Sequence, residues 1–568
     1  MCSAPTGATT TVGASRDDES VTVRTRRGAA LGVSERGFST AIACGLLVAA
    51  ITVAGLLLRL PSYNDSLFGD ELSTYFVVTG HSLGGVLGLV SSQQEVTPPL
   101  FFILAWLTAK LGDPSETIRL TSLIAGTAAI PLTYALGACT VGRAAGVVGA
   151  ALLALSPFQI FFSTEARAYE LTLLVVLLST LALLRALSRG GLRWWIAYGG
   201  LSCAAMYTHY AAAFVLVAQL GWALWTHREA WPELVMANGG ATLAYLPWVP
   251  GYLDDRNGPN VIGFVEPFGL HAIRAALENW SIGHPYISPT VLPGSTAVAL
   301  ALAGVLLGTV GMLMTIRRHR GTRWRPSDRA VLVVLLAIAT PVGVAIYSAH
   351  GPTIWQSKNL IASSPGLALA AGGLLTSGRG LLRTSAVALV LAAFAIGGAK
   401  MLASVNQRPD YKGVARYIER TGGPGDPVVE VPFTANPLSG LQVALAKPGR
   451  WTSGQHPTLR VGIPKLRTQL RARAKHLPQL APLPVPKPEV LARDAARDAR
   501  GGKLFVVALG AGELPSQRAA TRSMLAEVLK DLPSRFQHVA TKTYQGLGGH
   551  VPLFMVSVYV FRDTGGSG

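Results

Sequence analysis

The sequence predicts an α-helical protein that spans a membrane many times and ends in a small α/β domain. Half of its 568 residues are hydrophobic and only 14% are charged, whereas a soluble domain has about 25% charged residues. Long apolar segments recur through the first 404 residues, and the pattern changes after residue 405. Together these observations exclude a soluble protein.

The apolar segments determine the expected number of spans. Each is near the roughly 20 residues that cross about 30 Å of hydrocarbon, which predicts about eleven spans. The first begins too late for a signal peptide and is expected to be a retained anchor. A further segment at 98–111 is shorter, and whether it crosses is left open. The spans are expected near 38–60, 119–139, 144–162, 169–187, 194–210, 211–227, 231–252, 295–316, 329–349, 359–376 and 384–404.

The net charge of +19 does not indicate a nucleic-acid-binding protein, because many of the cations lie in short loops between apolar segments. Basic loops belong on the cytoplasmic side of a membrane. Alternation then predicts that residues 65–95, 163–170, 209–210, 254–294 and 350–358, and everything after 405, lie outside. The basic clusters that set this orientation are Arg24, Arg26, Arg27 and Arg36; Arg185, Arg189 and Arg193; and Arg317, Arg318, Arg320, Arg323, Arg325 and Arg329.

Three parts are expected along the chain. Residues 1–37 are polar and basic without apolar periodicity, which predicts a disordered cytoplasmic tail. Residues 38–404 form the membrane module, with an external loop at 61–97. Residues 405–568 form an extracytoplasmic α/β domain with a Pro-rich insertion. Its expected elements are a helix beginning at Tyr411, strands at 428–431, 504–509, 538–544 and 551–561, a helix at 516–532 and an extended connector at 481–488.

Acidic residues in the predicted external loops are the first candidates for chemistry. Asp70 and Glu71 follow the first span, and a carboxylate near its normal pKa can accept the proton of a sugar hydroxyl as that hydroxyl attacks. Glu95 precedes Pro98 and Pro99, which favour the start of a helix. Loop carboxylates are common, and a carboxylate at a helix start is favoured by the helix dipole. The spacing alone therefore leaves both interpretations open.

Cations and aromatic residues in the same loops are candidates for binding phosphate or sugar. Arg167 and Tyr169 lie at the mouth of a span, where Arg167 either holds an anion or pairs with Glu165 or Glu170. His209 and Tyr210 can donate to oxygens but are also typical of the membrane interface. Lys358 opposes the positive-inside tendency, although snorkelling explains it as well.

The sequence contains no nucleotide-binding loop, no dinucleotide fingerprint and no zinc signature, so a nucleotide-driven reaction has no support. Four cysteines show neither a disulfide framework nor metal-ligand spacing. Asp70 and Glu71 could help to bind a divalent cation, but the ligand set is incomplete. We therefore expect no certain cofactor and leave a divalent cation open.

Taken in order, these segments resemble the membrane glycosyltransferases of the GT-C class, in the branch of the protein O-mannosyltransferases and the lipid A aminoarabinose transferase. The resemblance covers roughly residues 40–420. The elements that carry it are Arg59-Leu60, Gly69-Asp70-Glu71, the 95–100 segment Glu-Val-Thr-Pro-Pro-Leu, the 163–169 segment Ser-Thr-Glu-Ala-Arg-Ala-Tyr, the 207–210 segment Tyr-Thr-His-Tyr and the 358–361 segment Lys-Asn-Leu-Ile.

The resemblance implies a multi-pass plasma-membrane enzyme that takes a sugar from a polyprenyl phosphate and transfers it, with inversion, on the outer face. Asp70 would be the general base, and Glu71 and Glu95 would position hydroxyls. Arg59, Arg167 and Lys358 would contact the lipid phosphate, while Tyr169, His209 and Tyr210 would contact substrate. Many relatives have Arg-Tyr where this chain has Lys358-Asn359, which changes the phosphate geometry because lysine is a point charge.

The donor sugar and the acceptor are less defined. The high Ala, Gly and Arg content is typical of actinobacteria, in which decaprenyl-phosphate mannose and arabinose both serve envelope glycans. Mannose is favoured, and the acceptor is a glycan, a lipid or a protein of the cell envelope. The partners are thus the lipid-linked donor, the acceptor and membrane lipid, with no nucleic acid. A polyprenyl-lipid flippase or secondary transporter is the alternative, and it predicts midplane charges on broken helices and inverted repeats. The sequence indicates neither. A non-enzymatic scaffold is a further alternative.

Overall fold

The fold is that of a computed structural model, and it is helical up to residue 400 with a five-stranded sheet after it. The predicted fold class is confirmed. The structure describes residues 23–91, 95–257, 267–318, 327–431, 438–446, 458–460, 488–499, 501–509, 515–544, 546–547 and 555–564.

The helices before residue 405 are numbered in chain order. They are α1 (Val23–Tyr63), α2 (Asp70–Val78), α3 (Leu83–Leu89), α4 (Leu100–Thr108), α5 (Pro114–Thr117), α6 (Leu120–Thr140), α7 (Arg143–Leu155), α8 (Pro157–Ser163), α9 (Tyr169–Arg189), α10 (Leu192–Thr208), α11 (Ala212–Thr226), α12 (Trp231–Tyr245), α13 (Val249–Asn257), α14 (Leu270–Ser281), α15 (Ser295–Arg318), α16 (Asp328–His350), α17 (Ser364–Thr376) and α18 (Gly380–Lys400).

The predicted count of eleven spans is not confirmed. Among the described residues, seven helices are long and apolar enough to cross a membrane, or eight if the bent pair α7 and α8 is one span. Each predicted segment does contain a helix. However, α10, α11 and α12 have 17, 15 and 15 residues, which is about 23–26 Å of helix. They fall short of about 30 Å of hydrocarbon.

A bend of 63° separates α7 from α8 within the predicted span 144–162. Ser156, between the two helices, has an extended backbone because Pro157 disfavours helical geometry in the residue before it. The Ser156 hydroxyl then accepts the N–H of Gln159 and caps α8. The sequence Ser-Pro thus produces a broken helix instead of one straight span.

The N-terminal tail is partly helical, which corrects the prediction of disorder for residues 1–37. The first helix begins at Val23, so the prediction is wrong from that residue on, and residues 1–22 lie outside the described part. Extending a helix that already exists adds hydrogen bonds without a new nucleation step. The Arg, Ala and Leu residues that precede the apolar segment also have high helix propensity.

The predicted external loop 61–97 contains α2 and α3, and the short apolar segment that follows it forms α4. With nine residues, α4 is about 14 Å long and does not reach across about 30 Å of hydrocarbon. Its side chains Phe101, Phe102 and Ala105 are buried. One face of α4 is thus packed against the protein while Leu107 and Leu111 are exposed, and the segment 98–111 does not form a span.

The sheet after residue 405 has the strand order β2-β1-β3-β5-β4. The pairings β1 with β2 and β1 with β3 are parallel, whereas β5 pairs antiparallel with β3 and β4. The strands are β1 (Val428–Val431), β2 (Thr458–Arg460), β3 (Lys503–Leu509), β4 (Phe536–Tyr544) and β5 (Val556–Asp563), and the helices are α19 (Tyr411–Thr421), α20 (Gly440–Leu445), α21 (Pro488–Asp498) and α22 (Pro515–Lys530).

The two faces of the central strands pack into different cores. Val429 and Val506 pack with Leu491 of α21, while Val428 and Phe505 join the core that runs through the helical part. This alternation is the period of two that a strand imposes, and a parallel pair of strands is covered on both faces. The sheet is thereby held against the helices.

The predicted elements of this region correspond to α19, β1, β3, α22, β4 and β5, with shifts of up to a few residues at their ends. Residues 551–554 of the last predicted strand, and 481–487 of the connector, lie outside the described residues. Neither β2 nor α21 was expected. The three-residue length of β2 is below what alternation of side chains can reveal.

Candidate functional site

The candidate base Asp70 stands at the start of α2. The preceding Gly69 has φ of 60°, a conformation that glycine adopts without a steric cost. This sharp turn starts the helix, and an acidic residue in the first turn is favoured by the helix dipole. The Asp70 side chain is 36% exposed, so its carboxylate is accessible.

Asp70 pairs with Lys358. The Lys358 Nζ donates to Asp70 Oδ2 at 2.9 Å, from the 3₁₀ turn Ser357–Ser363 that precedes α17. The Lys358 charge lowers the pKa of Asp70 to about 2, against the effect of burial and with a further contribution from Arg167. The carboxylate is therefore ionised at neutral pH. The neighbouring Asn359 side chain instead donates to the Ile354 carbonyl and holds the backbone of this turn.

Arg167 pairs with Glu95 and not with Glu165 or Glu170, the two partners that its sequence position suggested. The Arg167 Nη1 donates to Glu95 Oε2 at 2.7 Å, and Nη2 donates to the hydroxyl of Thr97 at 3.3 Å. Both charged side chains are at least nine-tenths buried. The pairing brings two predicted site residues together from segments about 70 positions apart.

Tyr169 and His209 lie beside the Asp70–Lys358 pair. The Lys358 Nζ is 5.8 Å from the centroid of the Tyr169 ring, and the centroids of the Tyr169 and His209 rings are 5.7 Å apart. His209 Nδ1 accepts the N–H of Ala211 at 3.1 Å. In a neutral imidazole this leaves Nε2 with the proton, as a donor.

Glu165 is a member of the site to which the sequence assigned no more than an ion pair. Its side chain is buried, and Oε2 has no hydrogen-bond partner among the described residues. Burial, with the nearby carboxylates of Asp70 and Glu71, raises the pKa of Glu165 to about 8. Glu165 is therefore largely protonated at neutral pH and adds little charge next to Asp70.

Glu71 differs from its neighbour Asp70. Arg119 donates through Nε to Glu71 Oε1 and through Nη2 to Oε2, both at 2.6 Å, and neither side chain is exposed. Burial alone would raise the pKa of Glu71, but Arg119 and Arg408 lower it overall. With both oxygens bound inside the protein, Glu71 is placed to hold the loop, which argues against the predicted contact with a sugar hydroxyl.

Arg119 and Arg408, which the sequence did not indicate, bind the same loop. Arg119 Nη1 donates to the carbonyls of Tyr63 and Asp65 at 2.7 and 2.6 Å. Arg408 Nε is 3.4 Å from Glu71 Oε2, and its backbone N–H donates to Asp65 at 3.2 Å. The one available signal was that an arginine close to apolar segments is costly unless it is paired.

Arg59 is fully buried, which differs from its predicted contact with a lipid phosphate. Its guanidinium donates to the carbonyls of Gly55, Ala154 and Leu153 and to the hydroxyl of Ser163. The carbonyls at the C-terminal end of a helix lack intrahelical partners, and Arg59 supplies two of them at the end of α7. It is therefore placed to stabilise the bend before α8.

Tyr210 contacts an acidic residue that the sequence did not single out. Its hydroxyl donates to Asp255 Oδ2 at 2.5 Å and accepts the indole N–H of Trp248 at 3.1 Å. The Asp255 carboxylate also interacts electrostatically with Glu95. Tyr210 thus joins the same cluster as Glu95, although it does not contact Asp70.

A divalent cation at Asp70 and Glu71, which the sequence left open, is not what their geometry favours. The two carboxylates are adjacent in sequence but pair with different cations, Lys358 and Arg119. Within the part of the chain that the structure describes, no group of three or more His, Cys, Asp or Glu residues is arranged to hold a metal ion.

With this geometry in place, the chain can be compared with known proteins. Residues 96–252 match a protein family. Its description is dolichyl-phosphate-mannose-protein mannosyltransferase, and the resemblance to the GT-C class is confirmed over this stretch. The matched stretch includes Arg119, Arg167 and His209, whereas Asp70 and Lys358 lie outside it. No curated protein matches the chain in sequence.

Several solved structures are similar to the chain at low identity. ArnT from Cupriavidus metallidurans bound to undecaprenyl phosphate is 14% identical, covers 90% of this chain and 97% of its own, and has a TM-score of 0.49. The oligosaccharyltransferase of Archaeoglobus fulgidus tethered with an acceptor peptide is 13% identical, with 88% and 73% covered and a TM-score of 0.41. The mycobacterial arabinofuranosyltransferase AftD is 13% identical, with 91% and 41% covered and a TM-score of 0.36. At these values the function must be argued from the site.

Proposed function

We propose that this protein transfers a sugar from a polyprenyl phosphate to a cell-envelope acceptor, with Asp70 as the general base. The observation that carries the proposal is the contact between Asp70 Oδ2 and Lys358 Nζ at 2.9 Å. It places an accessible carboxylate next to a cation that can stabilise a leaving phosphate. The match of residues 96–252 to a mannosyltransferase family supports the reaction class.

The reaction is a single displacement at the anomeric carbon. The acceptor oxygen forms a bond to that carbon while its proton passes to the Asp70 carboxylate. The bond between the carbon and the phosphate oxygen breaks, and its electron pair leaves with the polyprenyl phosphate. Attack from the face opposite the leaving group inverts the configuration, and no nucleotide is consumed.

Lys358 has two parts in this proposal. Its ammonium keeps Asp70 ionised, and it supplies positive charge where the leaving phosphate develops negative charge. An ammonium has three donors that are not constrained to a planar fork, so one can contact Asp70 while others face the phosphate. Arg167 adds to the positive potential near Asp70, although its own hydrogen bonds go to Glu95 and Thr97.

The donor sugar that we propose is mannose, in keeping with the description of the matched family. The basic loops before α1, around the α9–α10 turn and before α16 favour the cytoplasmic side. All three loops are cytoplasmic only if an odd number of the short helices α10, α11 and α12 crosses the membrane, and the site and the sheet after residue 405 are then on the outer face of the plasma membrane. No divalent cation is assigned to Asp70 and Glu71, since each has a cationic partner in the protein.

A flippase or transporter is the alternative that one observation favours. A charged residue, Arg59, lies at the broken helix α7–α8, as that class predicts. However, the donors of Arg59 are bound to backbone carbonyls and to Ser163, which leaves the bend stabilised and not open to a substrate. Glycosyl transfer therefore has the stronger support.

The test is transfer of radiolabelled mannose from polyprenyl phosphate mannose by the purified full-length protein, with an envelope extract as acceptor. A parallel reaction uses polyprenyl phosphate arabinose. We expect labelled product with mannose, and about 10²- to 10⁴-fold less of it after Asp70→Asn. The matched control is Glu116→Gln, since Glu116 is exposed in a surface pair with Lys412. A folded parent protein that forms no product from either donor contradicts the proposal.

A further inference from the structure

Asp255 of α13 has one carboxylate oxygen that its protein neighbours do not use. Its Oδ2 accepts the hydroxyl of Tyr210 at 2.5 Å, and that hydroxyl is in turn held by Trp248. Its Oδ1 is buried and has no hydrogen-bond partner among the described residues. A buried acceptor left without a donor costs free energy, so such an atom calls for a bound group.

Glu95 also has one carboxylate oxygen that its protein neighbours do not use. Its Oε2 accepts from Arg167 at 2.7 Å, while its Oε1 is buried and lacks a partner in the described part of the chain. The Glu95 side chain is only 4% exposed. Tyr210, which holds Asp255, follows His209, whose ring packs against Tyr169 at 5.7 Å between centroids, two residues after Arg167. The Glu95 carboxylate also acts electrostatically on Asp255, so the two unsatisfied oxygens lie on the same side of the candidate site.

The chemistry of these two oxygens decides what can bind. They need donors, which are either hydroxyl groups or a cation. A metal ion needs several ligands, and no group of three or more His, Cys, Asp or Glu residues that could hold one is found within the described residues. Neutral hydroxyls satisfy both oxygens, and a hydroxyl bound to a carboxylate forms a strong, charge-assisted hydrogen bond.

The apolar surroundings fit a sugar ring. The rings of Tyr210 and Tyr252 have centroids 5.2 Å apart and meet edge to face, and Trp248 adjoins Tyr210. Ligand sites are typically lined by apolar and aromatic groups with a few placed polar atoms. A pyranose has the same division, because its C–H groups are apolar and its hydroxyls are polar.

We infer that Asp255 and Glu95 form a subsite that binds two free hydroxyls of a sugar, with Tyr210 fixing the orientation of Asp255. The inference rests on the proposed glycosyl transfer and adds a residue, Asp255, that selects the sugar. The bound sugar is either the one on the polyprenyl phosphate or the terminal sugar of the acceptor. Both present the same hydroxyl chemistry, and kinetics separate them.

The experiment compares Asp255→Asn and Glu95→Gln with the parent, using Asp254→Asn as the matched control because Asp254 is the exposed neighbour. An amide keeps the shape and can still accept from Tyr210 or Arg167, but its second atom is a donor and cannot accept a sugar hydroxyl. We expect the KM for one substrate to rise about 10- to 100-fold in each variant, with a smaller change in kcat. A rise in the KM for the donor identifies the donor sugar as the bound one, and a rise in the KM for the acceptor identifies the acceptor sugar.

Deoxy substrates make the test specific. The parent should discriminate against mannose donors or mannoside acceptors that lack one hydroxyl, and Asp255→Asn or Glu95→Gln should abolish that discrimination for one position each. Unchanged KM values, or discrimination equal in parent and variants, would overturn the inference while transfer itself persists.

A binding measurement keeps the inference testable apart from turnover. Polyprenyl phosphate mannose and methyl mannoside are titrated into the purified parent, Asp255→Asn and Asp254→Asn proteins. Weaker binding of either probe by Asp255→Asn alone supports the subsite, and equal binding of both probes by all three proteins contradicts it. Thermal unfolding of each variant shows that the fold is retained. Failure of the proposed function is distinct, because then the parent forms no product at all.

Discussion

Lys358 and Asp70 are 288 residues apart in sequence, yet the Lys358 ammonium donates to Asp70 Oδ2 at 2.9 Å. The contact joins the turn before α17 to the first turn of α2. It explains why the carboxylate is ionised, and it brings a proton acceptor and a cation to one point. The predictions below concern this pair, the loop that carries it and the orientation of the chain.

Asp70→Asn should reduce transfer by about 10²- to 10⁴-fold, the usual range for loss of a general base. Asparagine keeps the size of the side chain but cannot accept the proton. The measurement is product formed by equal amounts of inserted parent and variant protein. The control is Glu116→Gln. Asp65 lies in the same loop as Asp70, but it accepts the backbone N–H of Arg408, so Asp65→Asn is less suitable as a control. Activity near that of the parent would remove Asp70 from the mechanism.

Lys358→Ala should weaken use of the lipid donor more than Lys358→Arg, because arginine keeps the positive charge. Loss of the ammonium also removes the main cause of the low pKa of Asp70. The pKa should therefore rise, and the activity of Lys358→Ala should begin to fall at a higher pH on acidification than that of the parent. The KM for donor and a pH profile measure both effects. Parent-like values in both variants would reduce Lys358 to a snorkelling residue.

Glu71→Gln should destabilise the protein by about 3–5 kcal/mol, since it leaves a buried arginine without its charged partner. The free energy of unfolding in detergent measures this directly. The matched control is Glu278→Gln in the exposed pair with Arg274, for which little change is expected. If Glu71→Gln instead unfolds like the parent and raises a substrate KM, the residue binds substrate as the sequence first suggested.

Glu165→Gln should make stability less sensitive to alkaline pH. The pKa of Glu165 is raised to about 8. The stability that its protonated form contributes is therefore fully present at pH values below the ordinary pKa of glutamic acid. That contribution decreases as the pH rises from there through about 8, where the folded protein must ionise a buried group. Thermal unfolding midpoints between pH 6 and 9 should fall more steeply for the parent than for Glu165→Gln. Parallel curves would contradict the assignment.

A C-terminal alkaline phosphatase fusion should be active, and a cytoplasmic reporter at the same position should be silent. The expectation follows from the basic loops, which favour the cytoplasmic side and leave the segment after α18 on the other side of the membrane. Fusions within the 318–329 turn provide the matched comparison and should show the reverse pattern. The opposite result would move the site to the cytoplasmic side.

The helices were largely predictable, because apolar segments report on burial in the membrane. The segment expected at 119–139 is found as Leu120–Thr140, for example. The span count was not, since a run such as 231–252 contains Pro247 and Pro250 and breaks into α12, a 3₁₀ turn and α13. Hydropathy reports how apolar a segment is, but not where its backbone bends.

The candidate site was predictable in part of its members and not in its pairings. Asp70, Arg167 and Lys358 were identified as site candidates, and they do lie in one electrostatic cluster. The pairing of Glu71 with Arg119, 48 residues away, could not be read from either position. Adjacent residues in the first turn of a helix point in different directions, so Asp70 is accessible while Glu71 is buried. Asp255 carried no signal because an acidic residue after an apolar helix is common.

Arg408 has a consequence for how the molecule is made. Its backbone and side chain contact Asp65 and Glu71, which belong to the loop after the first helix. The ribosome must therefore synthesise more than 300 residues after that loop before Arg408 is available to pair with it. Until then, Arg119 is the charged partner of Glu71 among the described residues, so the carboxylate cluster is completed by a residue that follows all of the helices α1–α18. A protein cut short before Arg408 would contain the helices α1–α18 and still lack the cation that completes the loop after the first helix.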